Sequence, residues 1–337
     1  MTLRWGLLGC ARICRRGLIP GIKASEAGVL AAIASRDEAV AREWADEFQI
    51  PAAHGSYEAL LADPSVDAVY VPLPNELHEP WAARAADAGK HVLCEKPLAL
   101  DADEARAMAE HCRSRGVILM EAFMWRHQPR TAAVKKMLDD GAIGRLRLIR
   151  ASFSFPIEAG DWRLDPARGG GPLWDVGCYG VNAARFFTGA EPERVEAVGD
   201  FAPNGVDMAV AASLRFPDGV LAAIDCSFEQ PFFCRYELVG ETGSIVVPDA
   251  FLPPSSGPVA TLRTMEAASD AGAGADRYET LTFPAVDQYA AMVDSFARSV
   301  AAGSLQPPAE DGVAQMEALC RILRSARGTE RNRETIS

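Results

Sequence analysis

The chain has 337 residues, of which 49% are apolar and 24% charged, a composition typical of globular proteins and a length sufficient for two domains. Its formal net charge of -12 argues against a nucleic-acid or anionic-membrane partner, because those surfaces select for lysine and arginine patches. No apolar run approaches the roughly 18 residues that a membrane span needs, and no signal-peptide layout is visible, so we expect a cytoplasmic protein.

The eight cysteines are scattered along the chain, and most lie inside apolar runs. None forms a Cys-x-x-Cys pair, so we expect buried thiols in a reducing compartment and neither disulfides nor zinc ligands. The five histidines also lack metal-site spacing. The sequence therefore predicts no bound metal.

Strand-like and helix-like segments alternate through the first third of the chain. The strand-like segments are 3–9, 29–34, 68–71, 91–94 and 117–121, and the helix-like segments run from about 14 toward 22, up to about 48, and over 76–87 and 101–114. This alternation predicts a doubly wound parallel sheet of the Rossmann type. The first βαβ unit of about 30 residues has the size of a dinucleotide-binding unit.

An incomplete glycine fingerprint follows the first strand. Gly9 would form the tight turn, but Ala11 and Cys14 stand where G-x-G-x-x-G has its second and third glycines. Both residues are small enough to let a pyrophosphate approach and the helix pack on the strand. On its own, the motif does not separate a dinucleotide site from an ordinary strand-to-helix turn.

Ser35 and Arg36 end the second strand, and Asp37 follows one position later. An acidic residue at this strand end binds the ribose hydroxyls of NAD, whereas a cation suits the 2′-phosphate of NADP. The pattern therefore favours NADP and leaves NAD open. The alternative is that Arg36 merely lies beside a helix whose N-terminal acid is Asp37.

Two further turns end strands of the same predicted sheet. Pro72-Leu73-Pro74-Asn75 is fixed in an extended turn by its prolines, and it would line a nicotinamide ribose or simply join strand to helix. The run 91–94 ends in Glu95-Lys96-Pro97. Ligands bind at the carboxyl ends of parallel strands, so Lys96 stands where chemistry would take place, although a lone lysine there could equally be a surface residue.

The pattern changes after about residue 123. Strand-like segments at 145–154, 210–216, 220–228, 235–239 and 244–247 are separated by turn signals, which predicts an open, mostly antiparallel sheet in an α+β domain. The strand at 220–228 carries apolar residues on both faces, which suggests a partner subunit. We therefore expect a homodimer through this sheet, and a tetramer remains open.

The remaining segments complete the predicted domain organisation. Residues 253–276 are rich in proline, serine, alanine and glycine and predict a long mobile loop, and 288–301 and 312–327 predict amphipathic helices. The predicted boundaries are a dinucleotide-binding domain at 1–122, an α+β substrate-binding and dimerisation domain at 123–310, and a C-terminal helix and tail at 311–337.

A second chemical cluster lies at 162–182. Three consecutive glycines, 169–171, would let the backbone pass close to a flat ligand. Asp175 and Tyr179 are four residues apart at the start of a predicted helix, which puts them on one face. With a nearby lysine they form a proton-transfer set, because an ammonium lowers a tyrosine pKa. The alternative is a helix-capping aspartate and a core tyrosine.

Together these motifs resemble the glucose-fructose oxidoreductase/inositol dehydrogenase/MocA family over nearly the whole chain. The motifs that carry the resemblance are Gly9-Cys10-Ala11-Arg12-Ile13, Ser35-Arg36, Pro72-Leu73-Pro74-Asn75, the segment from Gly89 to Pro97, and the segment from Gly169 to Tyr179. Tyrosine at 179, where inositol dehydrogenases carry histidine, and the segment 121–129 look more like the branch of NADP-dependent xylose dehydrogenases, dimeric dihydrodiol dehydrogenases and ketosugar reductases.

The resemblance implies roles for individual residues. Lys96 would hydrogen-bond the reacting oxygen and tune Tyr179, Tyr179 would be the general acid/base, and Asp175 would orient the substrate and the lysine. Arg163 and Tyr289 would lie at the pocket rim. The cofactor-binding residues implied are Gly9, Ala11, Arg12, Ile13, Ser35, Arg36, Leu73, Pro74, Asn75, His78, Glu95 and Lys96. The Lys96–Pro97 bond is expected to be cis, which proline makes inexpensive.

The function implied is an NADP-dependent sugar oxidoreductase that oxidises the C1 hydroxyl of an aldose or reduces a keto-sugar. The alternative is a non-catalytic dinucleotide-sensing regulator, because the family is similar to a galactose-pathway corepressor. The presence of Lys96, Asp175 and Tyr179 together favours the enzyme.

Overall fold

The computed structural model describes residues 1–254, 256–265, 276–305 and 307–328, which form two compact units. The first contains Met1–His127 and Asp287–Met316, and the second contains Gln128–Val286 and the chain from Glu317 onward. Residues 287–310 thus pack with the first unit, whereas the sequence analysis grouped them with the second domain.

The strands and helices are as follows. The strands are β1 Leu3–Leu8, β2 Gly28–Ala34, β3 Ala52–His54, β4 Ala68–Val71, β5 His91–Cys94, β6 Leu119–Glu121, β7 Leu146–Ser154, β8 Arg194–Phe201, β9 Asp207–Arg215, β10 Leu221–Ser227, β11 Phe233–Gly240, β12 Gly243–Pro248, β13 Val259–Met265 and β14 Asp276–Thr282. The α-helices are α1 Ile19–Ala24, α2 Glu38–Phe48, α3 Tyr57–Leu61, α4 His78–Asp87, α5 Ala102–Ser114, α6 Pro129–Asp139, α7 Cys178–Thr188, α8 Gln288–Ala302 and α9 Glu310–Ala326. Two π-helical turns, Cys14–Leu18 and Leu173–Gly177, lead into α1 and α7.

The first unit is built on a parallel sheet. Within the described ranges it has six strands in the order β3-β2-β1-β4-β5-β6. The side chains of β1 are buried except Arg4, and those of β4 are all buried, as expected for strands covered by helices on both faces. The strand order is that of a doubly wound dinucleotide-binding fold, which confirms the prediction.

Helix α8 belongs to the first unit because its apolar face lies against the first βαβ unit. The Phe296 ring packs 5.2 Å from the Trp5 ring. A Cβ added at Gly17 or Gly21 would lie 2.5 or 2.6 Å from atoms of Tyr289, so only glycine lets α8 approach so closely. These contacts involve residues far apart in sequence, and the sequence pattern alone did not indicate them.

The second unit is built on a mixed, mostly antiparallel sheet. Its eight described strands run β14-β13-β12-β11-β7-β10-β9-β8, and of these pairs only β7 and β10 are parallel. One face of β9, β10 and β11 is buried, and the other face is exposed. This confirms the predicted α+β arrangement.

Several elements were not predicted. The sequence analysis missed β3, α3, β8 and β14, and it was wrong to treat all of 253–276 as a loop, because β13 lies inside that range and pairs with β12 and β14. Residues 266–275 of the predicted loop lie outside the described residues. With only three residues, β3 carries little periodicity, and β13 lies in a stretch whose composition is typical of loops.

None of the described helices combines the length and the apolar composition that crossing a membrane requires.

Arg130 is a buried cation that holds one end of the second sheet. Its guanidinium donates to the carbonyl oxygens of Pro248, Asp249, Ala250 and Val259 at 2.9–3.1 Å, and the residue is 1% exposed. Buried carbonyls without donors cost free energy, so one side chain here satisfies acceptors from two segments.

We expect Arg130→Met to lower the free energy of unfolding by about 3 kcal/mol or more, because it leaves these buried carbonyls without donors. Urea denaturation followed by circular dichroism measures the effect. The matched control is Arg147→Met, since the Arg147 side chain is 47% exposed and its loss should change stability by about 0.5 kcal/mol or less. Equal unfolding curves for the two variants would contradict the assignment.

Candidate functional site

The carboxyl edge of the first sheet brings the predicted fingerprint and the proline turn together. Gly9 ends β1 with φ +122°, a conformation that favours glycine. A Cβ added there would lie 3.3 Å from Leu73 Cδ2 and 3.6 Å from the Tyr57 hydroxyl. The π-helical turn that follows begins at Cys14, whose thiol points at the Gly9 carbonyl. Ala11 and Ile13 are half-buried here and Arg12 is exposed.

Asp37 caps helix α2 at the end of β2. Its carboxylate accepts the Ala39 N–H at 2.9 Å, and its own N–H donates to Ser35 Oγ at 3.2 Å. The carboxylate is therefore engaged with the helix, as the sequence alternative required, and Arg36 is the exposed charged side chain immediately before it. This arrangement provides a cation at the position where a 2′-phosphate would bind.

Tyr57 lies beside Arg36, and the sequence analysis did not name it. Burial raises the pKa of Tyr57, and the nearby charge of Arg36 opposes that shift. The Tyr57 ring packs edge-on against the Trp81 ring, with 4.8 Å between the ring centroids, and this contact fixes the phenol. Gly55-Ser56 was the available signal, because Ser56 caps α3 by accepting the Ala59 N–H at 3.1 Å and so places Tyr57 at the helix start.

His78 joins the two turns that follow β4 and β5. It is fully buried, with Nδ1 2.9 Å from the Pro97 carbonyl oxygen and Nε2 2.8 Å from that of Leu73. Both ring nitrogens therefore face main-chain groups, and the cofactor-binding role of His78 stays a prediction. Its position indicates that it acts on the two turns it connects. Pro74 is half-buried and Asn75 buried in the same turn.

The segment around Lys96 is held on both sides by carboxylates. The Lys96–Pro97 bond is cis, as predicted. Tyr70 donates its hydroxyl to Glu95, and the Lys96 N–H lies 3.3 Å from Glu95 Oε2. Beyond the proline, the Leu98 N–H donates to Glu121 Oε1 at 3.0 Å. These contacts fix the backbone from which the half-buried Lys96 side chain projects.

Tyr289, predicted at the pocket rim, packs on the helix that follows the fingerprint. Its ring covers Gly17 within the first unit. Burial raises the pKa of Tyr289, and the charge of Glu95 adds to the shift. The structure thus places Tyr289 near the Glu95 carboxylate.

In the second unit, Asp175 and Tyr179 lie on one continuous helical segment. Asp175 is in the π-helical turn and Tyr179 is in the first turn of α7. Tyr179 is 5% exposed, and its ring centroid lies 5.5 Å from that of Phe153 and 5.0 Å from that of Phe251. Aromatic neighbours on two sides restrict the phenol to a narrow range of positions. Single π-helical turns occur often at functional sites.

Arg163, predicted at the pocket rim, forms an ion pair with Asp175. Arg163 Nε lies 3.0 Å from Asp175 Oδ2, and Nη1 lies 3.2 Å from Asp161 Oδ1. The guanidinium also packs 4.8 Å from the Trp162 ring. Because the Asp175 and Arg163 side chains are only 16% and 26% exposed, this ion pair orients the aspartate more firmly than a surface pair would.

The glycines of the second cluster make room for the chain itself. A Cβ at Gly170 would lie 2.3 Å from the Arg163 carbonyl oxygen, and one at Gly171 would lie 2.0 Å from Asp207 Oδ1. A Cβ at Gly177 or Gly180 would lie 2.8 Å from Cys226 Sγ or Ile224 Cγ2 on β10. We expected glycines 169–171 to let the backbone pass close to a flat ligand, but the groups that approach Gly170 and Gly171 belong to the chain itself.

The donor set at the first-unit edge fits a dinucleotide phosphate. The Gly9 turn precedes the helical turn that begins at Cys14, and Arg36 with the Tyr57 hydroxyl offers a cation and a hydrogen-bond donor for a dianion. Among the described residues, no three His, Cys, Asp or Glu side chains are grouped to hold a metal ion.

Comparison with known proteins identifies the family. Residues 3–123 match the family model "Oxidoreductase family, NAD-binding Rossmann fold", and residues 131–246 match "GFO/IDH/MocA C-terminal domain". D-xylose 1-dehydrogenase (NADP(+)) 2 from Haloferax volcanii is 42% identical over 329 residues, covering 96% of this chain and 97% of that protein. Trans-1,2-dihydrobenzene-1,2-diol dehydrogenase from Mus musculus is 39% identical over 234 residues, covering 67% of this chain and 69% of that protein.

A solved structure has the same fold over nearly the full length. KijD10, a 3-ketoreductase from Actinomadura kijaniata in complex with NADP and TDP-benzene, matches with a TM-score of 0.87 and 36% identity, covering 96% of this chain and 97% of that one. With both family models and a full-length relative in agreement, this chain belongs to the glucose-fructose oxidoreductase/inositol dehydrogenase/MocA family of oxidoreductases.

Proposed function

We propose that this chain transfers hydride between NADP and a sugar or related polyol, by oxidising the C1 hydroxyl of an aldose or by reducing a keto-sugar. The comparisons confirm the predicted class, an NADP-dependent sugar oxidoreductase acting on CH–OH groups. The observation that carries the proposal is the complete set of Lys96, Asp175 and Tyr179 in a chain of this family. A dinucleotide-sensing regulator would have no use for that set.

The roles that we propose follow from the chemistry of each side chain. Bound NADP supplies the nicotinamide carbon that accepts or returns the hydride. Tyr179 takes the hydroxyl proton of an alcohol during oxidation and returns it to a carbonyl oxygen during reduction. Lys96 stabilises the charge on the reacting oxygen with its ammonium. Asp175, held by Arg163, orients the substrate.

Arg36 and Tyr57 support NADP as the preferred cofactor. A guanidinium with a phenol hydroxyl beside it suits a 2′-phosphate better than a ribose hydroxyl. The engagement of Asp37 as a helix cap removes the carboxylate that would favour NAD.

We also propose a cytoplasmic homodimer. All eight cysteines are free thiols, which is typical of a reducing compartment. The exposed face of the second sheet carries Val198, Leu221 and Phe233, which are 66%, 49% and 41% exposed. A second copy of the chain would cover this apolar surface. Sedimentation at micromolar concentration measures the mass, and a monomer would exclude the pairing.

The first experiment follows reduced-nicotinamide absorbance with NADP and then NAD across aldoses, cyclic polyols and keto-sugars. Turnover of one sugar with NADP is the expected result. We expect Lys96→Ala and Tyr179→Phe to lower that turnover by about 10² to 10⁴-fold, because each removes a group that acts on the reacting oxygen.

The matched control for the tyrosine is Tyr278→Phe, since Tyr278 is 64% exposed on β14. NADPH fluorescence titration should show unchanged binding in Tyr179→Phe. Tight NADPH binding without turnover of any sugar would favour the regulator. Full turnover in Lys96→Ala or in Tyr179→Phe would contradict the proposed mechanism.

For the cofactor site, we expect Arg36→Ala to raise KM for NADP about tenfold or more relative to KM for NAD, because it removes a charge-assisted hydrogen bond. Tyr57→Phe should raise the same ratio about three- to tenfold, since it removes one hydroxyl. Steady-state kinetics with both cofactors measures the ratio. Arg42→Ala is the control, because Arg42 is an exposed helix arginine paired with Glu38. If Arg36→Ala left the ratio of KM for NADP to KM for NAD unchanged, Arg36 would not belong to the cofactor site.

A further inference from the structure

Asp207 is a buried carboxylate at the start of the helical segment that carries Asp175 and Tyr179. It is the first residue of β9 and is 2% exposed. Its Oδ2 accepts the N–H of Leu173, the first residue of the π-helical turn, at 2.9 Å. A helix start has N–H groups without partners inside the helix, so Asp207 acts as a cap supplied by a neighbouring strand.

Gly171 makes this contact sterically possible. Its φ is +112°, and a Cβ there would lie 2.0 Å from Asp207 Oδ1 and 2.6 Å from Cγ. Any other residue at this position would displace the carboxylate. The conformation of the 171–173 turn and the burial of Asp207 therefore depend on each other.

The remainder of the helical segment has little freedom to shift. Gly177 and Gly180 lie directly on Cys226 and Ile224 of β10. The first turn, in contrast, precedes these close contacts, and Asp175 is in it. A change in the hydrogen bond of the Leu173 N–H therefore affects the position of Asp175 first. Tyr179 lies one turn further along the helix and is affected less directly.

The surroundings of Asp207 allow its charge to change near neutral pH. Burial raises the pKa of Asp207 to about 6, and the Leu173 N–H and the charge of Arg327 oppose that shift. The Cys226 thiol on β10 also interacts with Asp207, and burial keeps this thiol neutral by raising its pKa well above the usual value. Because the folded pKa lies above 3.8, the fold loses stability as the pH rises through about 6.

We propose that Asp207 is a positioning residue whose ionised carboxylate fixes the first turn of the helical segment bearing Asp175 and Tyr179, and whose protonation loosens that turn and lowers turnover. A carboxylate accepts a stronger hydrogen bond from an N–H than a neutral acid does, and a negative charge is favourable at a helix N-terminus. A buried charge that lowers the stability of the fold is tolerated where it contributes to a functional site. The turnover part of this proposal rests on the proposed function.

Asp207→Asn tests the proposal, because the amide keeps the shape and an acceptor oxygen but has no charge to lose. Without any substrate, hydrogen exchange of the peptide that spans Leu173 to Tyr179 is compared with wild type at each pH. We expect wild type to lose protection relative to Asp207→Asn between pH 7 and pH 5, and the thermal midpoint of Asp207→Asn to rise relative to wild type from pH 5 to pH 7.

Turnover provides the second readout. With a pKa of about 6, the ionised fraction of Asp207 falls about tenfold between pH 7 and pH 5, and wild-type kcat should fall by a similar factor. Asp207→Asn should lack that step, with little change in KM for NADP. Gly171→Ala, which displaces the carboxylate, should lower kcat at both pH values. Asp225→Asn is the matched control, since Asp225 is half-buried on β10 and hydrogen-bonded to Ser152.

The two readouts separate failure of this proposal from failure of the proposed function. If wild type turns over no sugar but shows the pH-dependent protection, the sugar oxidoreductase assignment fails and the positioning role stands. Identical protection and an identical pH profile in wild type and Asp207→Asn would overturn the positioning role. A step that also disappears in Asp225→Asn would overturn it as well.

Discussion

The parallel pairing of β1 with both β2 and β4 is the constraint on which the first unit depends. Strand order reverses at this point, since β2 and β3 extend to one side of β1 and β4 to β6 extend to the other. Connections leave β1 and β4 in opposite directions, and a crevice opens between them at their carboxyl ends. The Gly9 turn and Leu73 meet there. The buried sheet therefore determines where a dinucleotide can lie before any side chain contributes.

In the second unit the corresponding constraint is the close approach of α7 to β10. A glycine inside a helix costs about 1 kcal/mol relative to alanine, yet Gly177 and Gly180 both occur where the helix meets the strand. The loss is offset because the missing Cβ atoms let the backbone settle on Cys226 and Ile224. Tyr179 projects from this anchored helix toward Phe153 and Phe251. Its position thus follows from packing far from the hydroxyl.

The alternation of strand-like and helix-like segments predicted the parallel sheet, and the family resemblance implied the cis bond at Lys96–Pro97. The spacing of Asp175 and Tyr179 predicted the helix that bears Tyr179. Periodicity did not find β3, which has only three residues, or β13, which lies in a stretch rich in proline, serine, alanine and glycine. It also gave no sign of Tyr57, because the contact between its hydroxyl and Arg36 joins two different strand-to-helix connections.

The same distinction explains the errors within the site. A sequence indicates that a glycine needs space, but the atom that fills the space comes from the tertiary structure. For Gly171 that atom belongs to Asp207, and for Gly170 it is a backbone oxygen. The partners of His78 are also tertiary, since its ring nitrogens face the main-chain carbonyls of Leu73 and Pro97, while its predicted cofactor-binding role stays a prediction.

Polar side chains that need not touch a ligand hold the groups proposed to do chemistry. Glu121 and His78 hold the backbone on the far side of Lys96 through the Leu98 N–H and the Pro97 carbonyl, and Arg163 holds the carboxylate of Asp175. Each of these links fixes a reacting group without depending on which sugar is bound. The proposed roles of Lys96 and Asp175 therefore do not specify a sugar, and substrate choice depends on other surfaces of the fold.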